Sequence, residues 1–193
     1  MPASLVLASG SPRRRELLSH FGLPFVVFPA EVDERVAAGE SPAAAAERLA
    51  RAKAKAGRRA SPGAVVVAAD TLVALDGQIF GKPAGAAGAK RTLRSLSGRT
   101  HEVHTGLCVA GPAGIRSRAV TSRVRMRALS GGEIDWYVAT GEPLDKAGAY
   151  AVQGRGAIFV EAIDGSWSNV VGLPLAELTP MLSEAGVALP WIA

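Results

Sequence analysis

The sequence predicts an α/β protein: a mixed, elongated, twisted sheet flanked by helices. Three observations carry this. Short apolar strands and helices alternate through the first half. Ala64–Ala69 is a near-continuous apolar run, the mark of a central strand covered on both faces. The second half is richer in strands, where His101–Ala110 and Ile115–Arg127 flank Gly111-Pro112-Ala113-Gly114 and should pair.

The elements follow in order. Leu5–Ala8 reads as a short buried strand. It runs into Ser9-Gly10-Ser11-Pro12-Arg13-Arg14-Arg15, which opens a helix over Arg13–Phe21 that Gly22 stops. Pro12 fits the first helical position, because its missing N–H would be unpaired there anyway. Ser11 is a suitable N-cap. Phe25–Phe28 is a second strand closed by Pro29, and Ser41-Pro42 opens a long Ala-rich helix ending near Gly57. After the central strand, Leu72–Leu75 and Gln78–Phe80 flank Asp76-Gly77, a strong hairpin signal. Gly81-Lys82-Pro83 precedes a helix running to about Leu96 and stopped by Gly98. Ser130–Thr140 reads as a helix with Ile134, Tyr137 and Val138 on one side. Gly141–Gly156 is a loop dense in Gly and charge, Ala157–Ile163 a strand, Asp164-Gly165 a turn, and Pro174–Glu184 a final helix. No repeat is present, and no linker is long enough to force a second independent domain.

Composition narrows the function classes. The 193 residues are 48% hydrophobic and 20% charged, as in an ordinary soluble globular protein. No apolar run is long enough to span a bilayer, and no secretory signal is expected. The one cysteine, Cys108, cannot form an internal disulfide and lies in an apolar strand pattern, so it reads as core in a reducing, cytoplasmic setting. The formal charge of +5 suits nucleic acid or small polyphosphates, but 5% aromatic residues leave little for stacking exposed bases. The high Arg and Ala usage resembles a GC-rich coding bias, which would inflate the charge without a functional cause.

The chemistry-bearing positions cluster in a few segments. The Ser9–Arg15 turn offers free backbone N–H groups, two hydroxyls and three guanidinium groups at the positive end of a helix, where cations are disfavoured unless an anion joins them. Phosphate is the natural anion; a solvated basic first turn is the bland alternative. Asp70 sits just after the buried strand and is followed by Thr71. A carboxylate at a strand's carboxyl end can hold a divalent metal or activate water, or simply bond local backbone. Glu31, Asp33 and Glu34 form an acidic loop that could join Asp70 around Mg²⁺, though alone it reads as solvated. Lys53 and Lys55 lie on the Ala-rich helix, mostly on a solvated face. Lys82, wedged in Gly81-Lys82-Pro83, suits a point charge on phosphate.

Other segments point less sharply. His101 and His104 fall on opposite faces of a strand, so they share no metal; one should be hydrogen-bonded and one exposed. Arg123, Arg125 and Arg127 alternate with Val124, Met126 and Ala128, most simply a solvated strand face. In the Glu142–Gly154 loop the glycines allow close backbone approach, and Gln153 offers both a donor and an acceptor, as reading a base edge requires.

Together these segments resemble the Maf family of nucleotide pyrophosphatases, related in fold to the inosine triphosphate pyrophosphatases. The matching residues are Ala8-Ser9-Gly10-Ser11-Pro12-Arg13-Arg14, Ala69-Asp70-Thr71, Gly81-Lys82-Pro83, Ser97-Gly98 with His101 and Thr105, Glu142–Tyr150, and Val170-Val171-Gly172-Leu173-Pro174-Leu175. They run in order along nearly the whole chain. The resemblance implies one Maf-like domain over 1–193, or two lobes with the active-site cleft between them. It implies hydrolysis of a nucleoside triphosphate to the monophosphate and pyrophosphate, with a divalent cation (Mg²⁺ or Mn²⁺) and Asp70 as proton acceptor for the attacking water. It places Ser9, Arg13, Arg14, Lys53 and Lys82 around the phosphates and Glu34 with Asp70 at the metal. Arg13, Thr71 and Gln153 match the branch that resembles dTTP/UTP pyrophosphatases. The alternatives are an enzyme for 7-methyl-GTP or another modified nucleotide, a nucleotide-binding regulator of cell division at septum formation, and a basic nucleic-acid-binding module. The expected partner is a small nucleoside triphosphate, with no membrane and no nucleic acid; a homodimer is left open.

Overall fold

The computed structural model describes residues 4–191. Its seven strands are β1 (Leu5–Leu7), β2 (Phe25–Val27), β3 (Val65–Leu75), β4 (Gln78–Phe80), β5 (Thr100–Gly111), β6 (Gly114–Met126) and β7 (Val160–Asp164). Six form a sheet in the order β2-β1-β3-β5-β6-β7, and β4 pairs with β3. The sheet is mixed. β1 lies parallel to β2 and to β3, whereas the β3–β4 and β6–β7 pairs are antiparallel. The helices are α1 (Pro12–Ser19), α2 (Pro42–Ala60), α3 (Gly85–Leu96), α4 (Gly131–Ala139), α5 (Trp167–Val171) and α6 (Leu175–Glu184). Among the described residues no helix is long and apolar enough to cross a membrane.

The chain divides into two compact units. The first comprises Met1–Asp70, Thr105–Val120 and Gly172–Ala193; the second comprises Thr71–His104 and Thr121–Val171.

Small side chains build one core cluster of the first unit: Val6, Ala8, Ala50, Ala54, Ala64, Val66, Ala68, Cys108 and Ala110. The unit also buries Leu7, Leu17, Leu18, Leu49, Leu107 and Leu173. Helix α2 is capped by Ser41, whose hydroxyl accepts from the Ala44 N–H, and Pro42 opens it. Its alanines at 45, 46, 50 and 54 are wholly buried. They let the helix lie almost backbone to backbone on β5: a Cβ added at Gly106 would overlap the Ala46 carbonyl. The alanines on this face of the helix are thus explained by packing. Cys108 is core as expected, and burial pushes its thiol up to about 12.

Larger side chains fill the second unit. Leu93, Leu96, Met126, Ile134, Tyr137, Tyr150 and Phe159 are its buried body. Tyr137 meets Phe159 edge-on at 5.1 Å between ring centroids. The β3–β4 hairpin turns at Asp76-Gly77, both at positive φ (50° and 79°), as a tight two-residue turn requires. Ser130 and Glu133 close a reciprocal capping box on α4.

Several expectations need correction. β3 does not stop at Ala69; it is one strand of eleven residues that carries Asp70 and Thr71 within it. The segment expected as a strand from Ala157 is a 3-10 turn over Arg155–Phe159, and β7 begins only at Val160. Its apolar residues Ala157, Ile158 and Phe159 mimic a strand in sequence, but the turn buries Phe159 and leaves Ile158 exposed. The short helix α5 falls between the Asp164-Gly165 turn and the final helix, where the sequence predicts no element. Both histidines are buried, so neither is the exposed one: His101 Nε2 shares a hydrogen bond with the Tyr150 hydroxyl at 2.8 Å, and His104 Nδ1 one with Thr121 Oγ1 at 2.9 Å. Arg123, Arg125 and Arg127 do form an outward face, paired with Glu102, Glu161 and Glu133.

Candidate active site

Parallel pairing sets the position of the candidate site. β1 matches β3 from Leu5↔Val65 to Leu7↔Val67, and the Ala8 N–H still donates to the Val67 carbonyl at 2.7 Å. β1 then ends, while β3 continues to Asp70. The carboxylate thus stands beyond the carboxyl end of β1 and β2, where backbone groups of parallel strands run out and ligands gather. It is the neighbours that end there, and β3 itself goes on.

Asp70 is buried, and so is its partner. Lys53 projects from α2 and donates from Nζ to Asp70 Oδ1 at 2.5 Å and pairs with Glu34 Oε1 at 2.6 Å. The Lys53 and Asp70 side chains keep only 9% and 10% of their exposure, whereas Glu34 keeps 59%. One ammonium therefore bridges an inner and an outer carboxylate. Two like charges can share so small a space because the cation lies between them. Lys53 had read as part of a solvated face; its neighbours on that turn of α2, the buried alanines, turn it inward.

The loop after β1 supplies the second cation. Ser11 caps α1 and accepts from the Arg14 N–H at 3.5 Å. Ser9 Oγ accepts both from the Ser11 N–H and from an Arg14 terminal N–H, each at 3.2 Å. Arg14 Nε donates to the Gly172 carbonyl at 2.8 Å, which ties the loop to the segment before α6. Burial pulls the Arg14 pKa below its ordinary value; the negative field of Asp70 opposes this, Arg13 adds to it, and Glu34 opposes it. No acidic residue occupies the first turn of α1, so no carboxylate of that turn offsets the positive end of the helix.

The structure thus brings Ser9, Arg14, Glu34, Lys53 and Asp70 together in one unit, with Arg13 beside Arg14 on α1. Of the acidic loop only Glu34 joins; Asp33 is engaged by Arg35 at 2.6 Å on the surface. A groove of about 850 Å³ on the same unit runs along Ser9, Ser11, Pro12 and Glu16 to Phe25 and Val27, and meets the charged cluster only at Ser9. Three of the expected residues belong to the second unit. Thr71 follows Asp70 in β3. Lys82 is exposed in the turn before α3, and Gln153 is exposed in the turn before the Arg155–Phe159 3-10 segment. Two polar residues of that unit escaped sequence reasoning as hydrogen-bonding groups: Tyr137, read only as apolar, and Glu142, read as loop and as part of the family-matching segment but given no role. The hydroxyl of Tyr137 donates to Glu142 Oε1 at 2.7 Å. The hint was the crowd of glycines around 154–156, which lets backbone N–H groups approach a carboxylate.

Could the acidic pair hold a metal? Among the described residues no group of three or more His, Cys, Asp or Glu is gathered as a metal site. Two carboxylate oxygens already converge on one cation, however. Mg²⁺ is commonly held by one or two carboxylates with phosphate oxygens completing its shell. The donor set of Asp70 and Glu34 fits that pattern.

Comparison with known proteins bears on this arrangement. The profile of the Maf-like protein family matches residues 4–185. The chain belongs to the Maf-like family. Maf-like relatives named dTTP/UTP pyrophosphatase occur in Anaeromyxobacter dehalogenans strain 2CP-C, 56% identical over 99% of this chain and 98% of that protein, and in Myxococcus xanthus strain DK1622, 53% identical over 98% and 96%. Among solved structures, the Staphylococcus aureus Ham1 protein shares the Maf-like chain's fold at a TM-score of 0.56, with 16% identity over 94% of this chain and 98% of that one.

Proposed function

We propose that this protein hydrolyses dTTP and UTP to the nucleoside monophosphate and pyrophosphate. The single observation that carries the chemistry is the buried Asp70 carboxylate, held by Lys53 and shared with Glu34, beside the Arg14 guanidinium and the open end of α1. The nucleotide specificity rests on the relatives of 53–56% identity that bear that name.

Each residue has a role in the reaction. Asp70 accepts the proton of the water that attacks the α-phosphorus; its second oxygen is free of Lys53, which holds only Oδ1. Lys53 and Arg14, with Arg13 and Lys82, stabilise charge developing on the phosphate oxygens. Ser9 orients Arg14 and offers its hydroxyl to the same anion. Glu34 and Asp70 would hold Mg²⁺ or Mn²⁺, which supplies Lewis-acid charge to the phosphate oxygens when bound. Arg13, Thr71 and Gln153 set the preference for base. One Gln153 amide can match the neighbouring donor and acceptor of a uracil or thymine edge. The buried lone thiol of Cys108 suits a reducing cytoplasm.

The test is product identity across dTTP, UTP, CTP, GTP and 7-methyl-GTP, with and without Mg²⁺ and Mn²⁺, in a preparation free of inorganic pyrophosphatase. Pyrophosphate should be the first product and dTTP and UTP the best substrates. Orthophosphate as the first product would remove the reaction, and a preference for 7-methyl-GTP would remove the specificity.

A further inference from the structure

The loop that carries Gln153 is pinned at both ends to one polar pair. On the early side, the Ala151 N–H donates to the Tyr137 hydroxyl at 3.1 Å. On the late side, the Arg155 N–H donates to Glu142 Oε2 at 3.0 Å and the Gly156 N–H to Glu142 Oε1 at 3.1 Å. Tyr137 and Glu142 are themselves joined, hydroxyl to Oε1, at 2.7 Å. The carboxylate sits so close under the turn that a Cβ added at Gly154 would come within 2.5 Å of Glu142 Oε2. Tyr137 is in turn wholly buried on α4 and packs edge-on against Phe159. Between the pinned ends, Gln153 is exposed, and its amide takes no partner among the described residues.

A carboxylate accepting two backbone N–H groups and a hydroxyl makes charge-assisted bonds, stronger than neutral ones. Such a mount is stiffer than an ordinary glycine-rich turn needs for folding alone. We propose that the Tyr137–Glu142 pair is the positioning element for Gln153, and through it for the choice of nucleobase. This rests on the reading of the protein as a dTTP/UTP pyrophosphatase. Neither residue touches the substrate; both act by holding the turn so that the Gln153 amide presents its donor and acceptor in one orientation. Cytosine is the informative competitor, because it carries an amino donor where uracil and thymine carry a carbonyl acceptor. A turn free to rock would let the amide adapt to either edge.

The test measures kcat/KM for dTTP, UTP and CTP in the wild type, Glu142→Gln, Tyr137→Phe and Gln153→Ala, and in Glu142→Gln combined with Gln153→Ala. The inhibition constant of inorganic tripolyphosphate reports phosphate binding separately. In Glu142→Gln an amide NH₂ would face one of the two backbone N–H groups. The dTTP-to-CTP ratio should fall about tenfold, the worth of one well-made hydrogen bond. Tripolyphosphate inhibition should not change. Tyr137→Phe keeps the ring packed on Phe159, folds where the Glu142 variant fails to, and should shift the ratio the same way by less. In the Gln153→Ala background the Glu142 change should shift the ratio no further. An unchanged ratio in both Glu142→Gln and Tyr137→Phe, or an equal shift without Gln153, would overturn the proposal and leave the pair a purely structural brace. A wild type that hydrolyses dTTP, UTP and CTP alike would instead overturn the parent reading of function.

Discussion

The buried polar side chains of the first unit include full charges: Lys53 and Asp70 lie 7% exposed, with Arg14 tied down beside Ser9. Those of the second unit are His101, His104, Ser122 and Asn169, and they are neutral or have been made so by burial. Both cores bury leucines; the first adds a cluster of alanine and valine around α2, and the second adds the rings of Tyr137, Tyr150 and Phe159. Burying charge opposes folding, and replacing a buried ion pair by apolar side chains is often neutral or stabilising. Under the proposed function, the buried pair kept against that cost is where the molecule meets a charged ligand. The neutral groups of the second unit are each hydrogen-bonded and hold a shape, while His101 Nδ1 takes no hydrogen-bond partner among the described residues.

The comparison can be broken at its tightest point first. Gly106→Ala should remove about 5 kcal/mol of stability or more, since the clash is with helix backbone that no rotamer can relieve. Urea unfolding measures it; a loss under about 1 kcal/mol would mean that α2 can lift from β5 freely. Lys53→Met should come next, at about 4 kcal/mol, because it strands the buried Asp70 carboxylate next to Glu34. The pair Lys53→Met with Asp70→Leu should recover most of that loss, and a double variant as unstable as the single one would show that Lys53 is chiefly a packing residue.

The second unit should respond to pH instead. Burial lowers the His101 pKa from 6.5 to about 4. The unfolded chain therefore binds the proton first. The stabilisation is complete above pH 6.5 and is lost progressively down to about pH 4, about 3 kcal/mol in all. His104 is depressed by burial as well and adds in the same direction. Hydrogen exchange should show the loss in the second unit, and His101→Gln should flatten it; an unchanged pH slope would deny His101 that part. The smallest effect is Ser130→Ala, about 1 kcal/mol for breaking the capping box of α4, readable as a modest fall in urea midpoint.

Local signals were legible in the sequence, and long-range ones were not. The Asp76-Gly77 hairpin, the Ser41-Pro42 start of α2 and the Ser11 cap each depend on residues a few places apart, and all stand where they were expected. β3 was cut short because Asp70-Thr71 interrupts its apolar run; what buries Asp70 is an ammonium 17 residues away. A lysine among alanines reads as surface until the helix is docked, so only the family resemblance, and not the local pattern, points to Lys53. The single exposed histidine was expected from strict alternation on a strand with one open face. His101 and His104 instead find cover on both faces of β5, from Tyr150 and Thr121. The Asp70 neighbourhood was anticipated as a set of residue types, and its assembly around one ammonium is a product of tertiary structure.

The claim at the centre is that the Asp70 carboxylate, and no neighbouring group, takes the proton from the attacking water. The measurement is kcat for pyrophosphate release from dTTP by Asp70→Asn, a variant that keeps the side-chain volume and an oxygen for Lys53. The account predicts a fall of about a hundredfold or more, the usual worth of a general base, with the folded structure intact by circular dichroism. A folded variant with near wild-type kcat would show that the buried pair is structural and that another group does the chemistry.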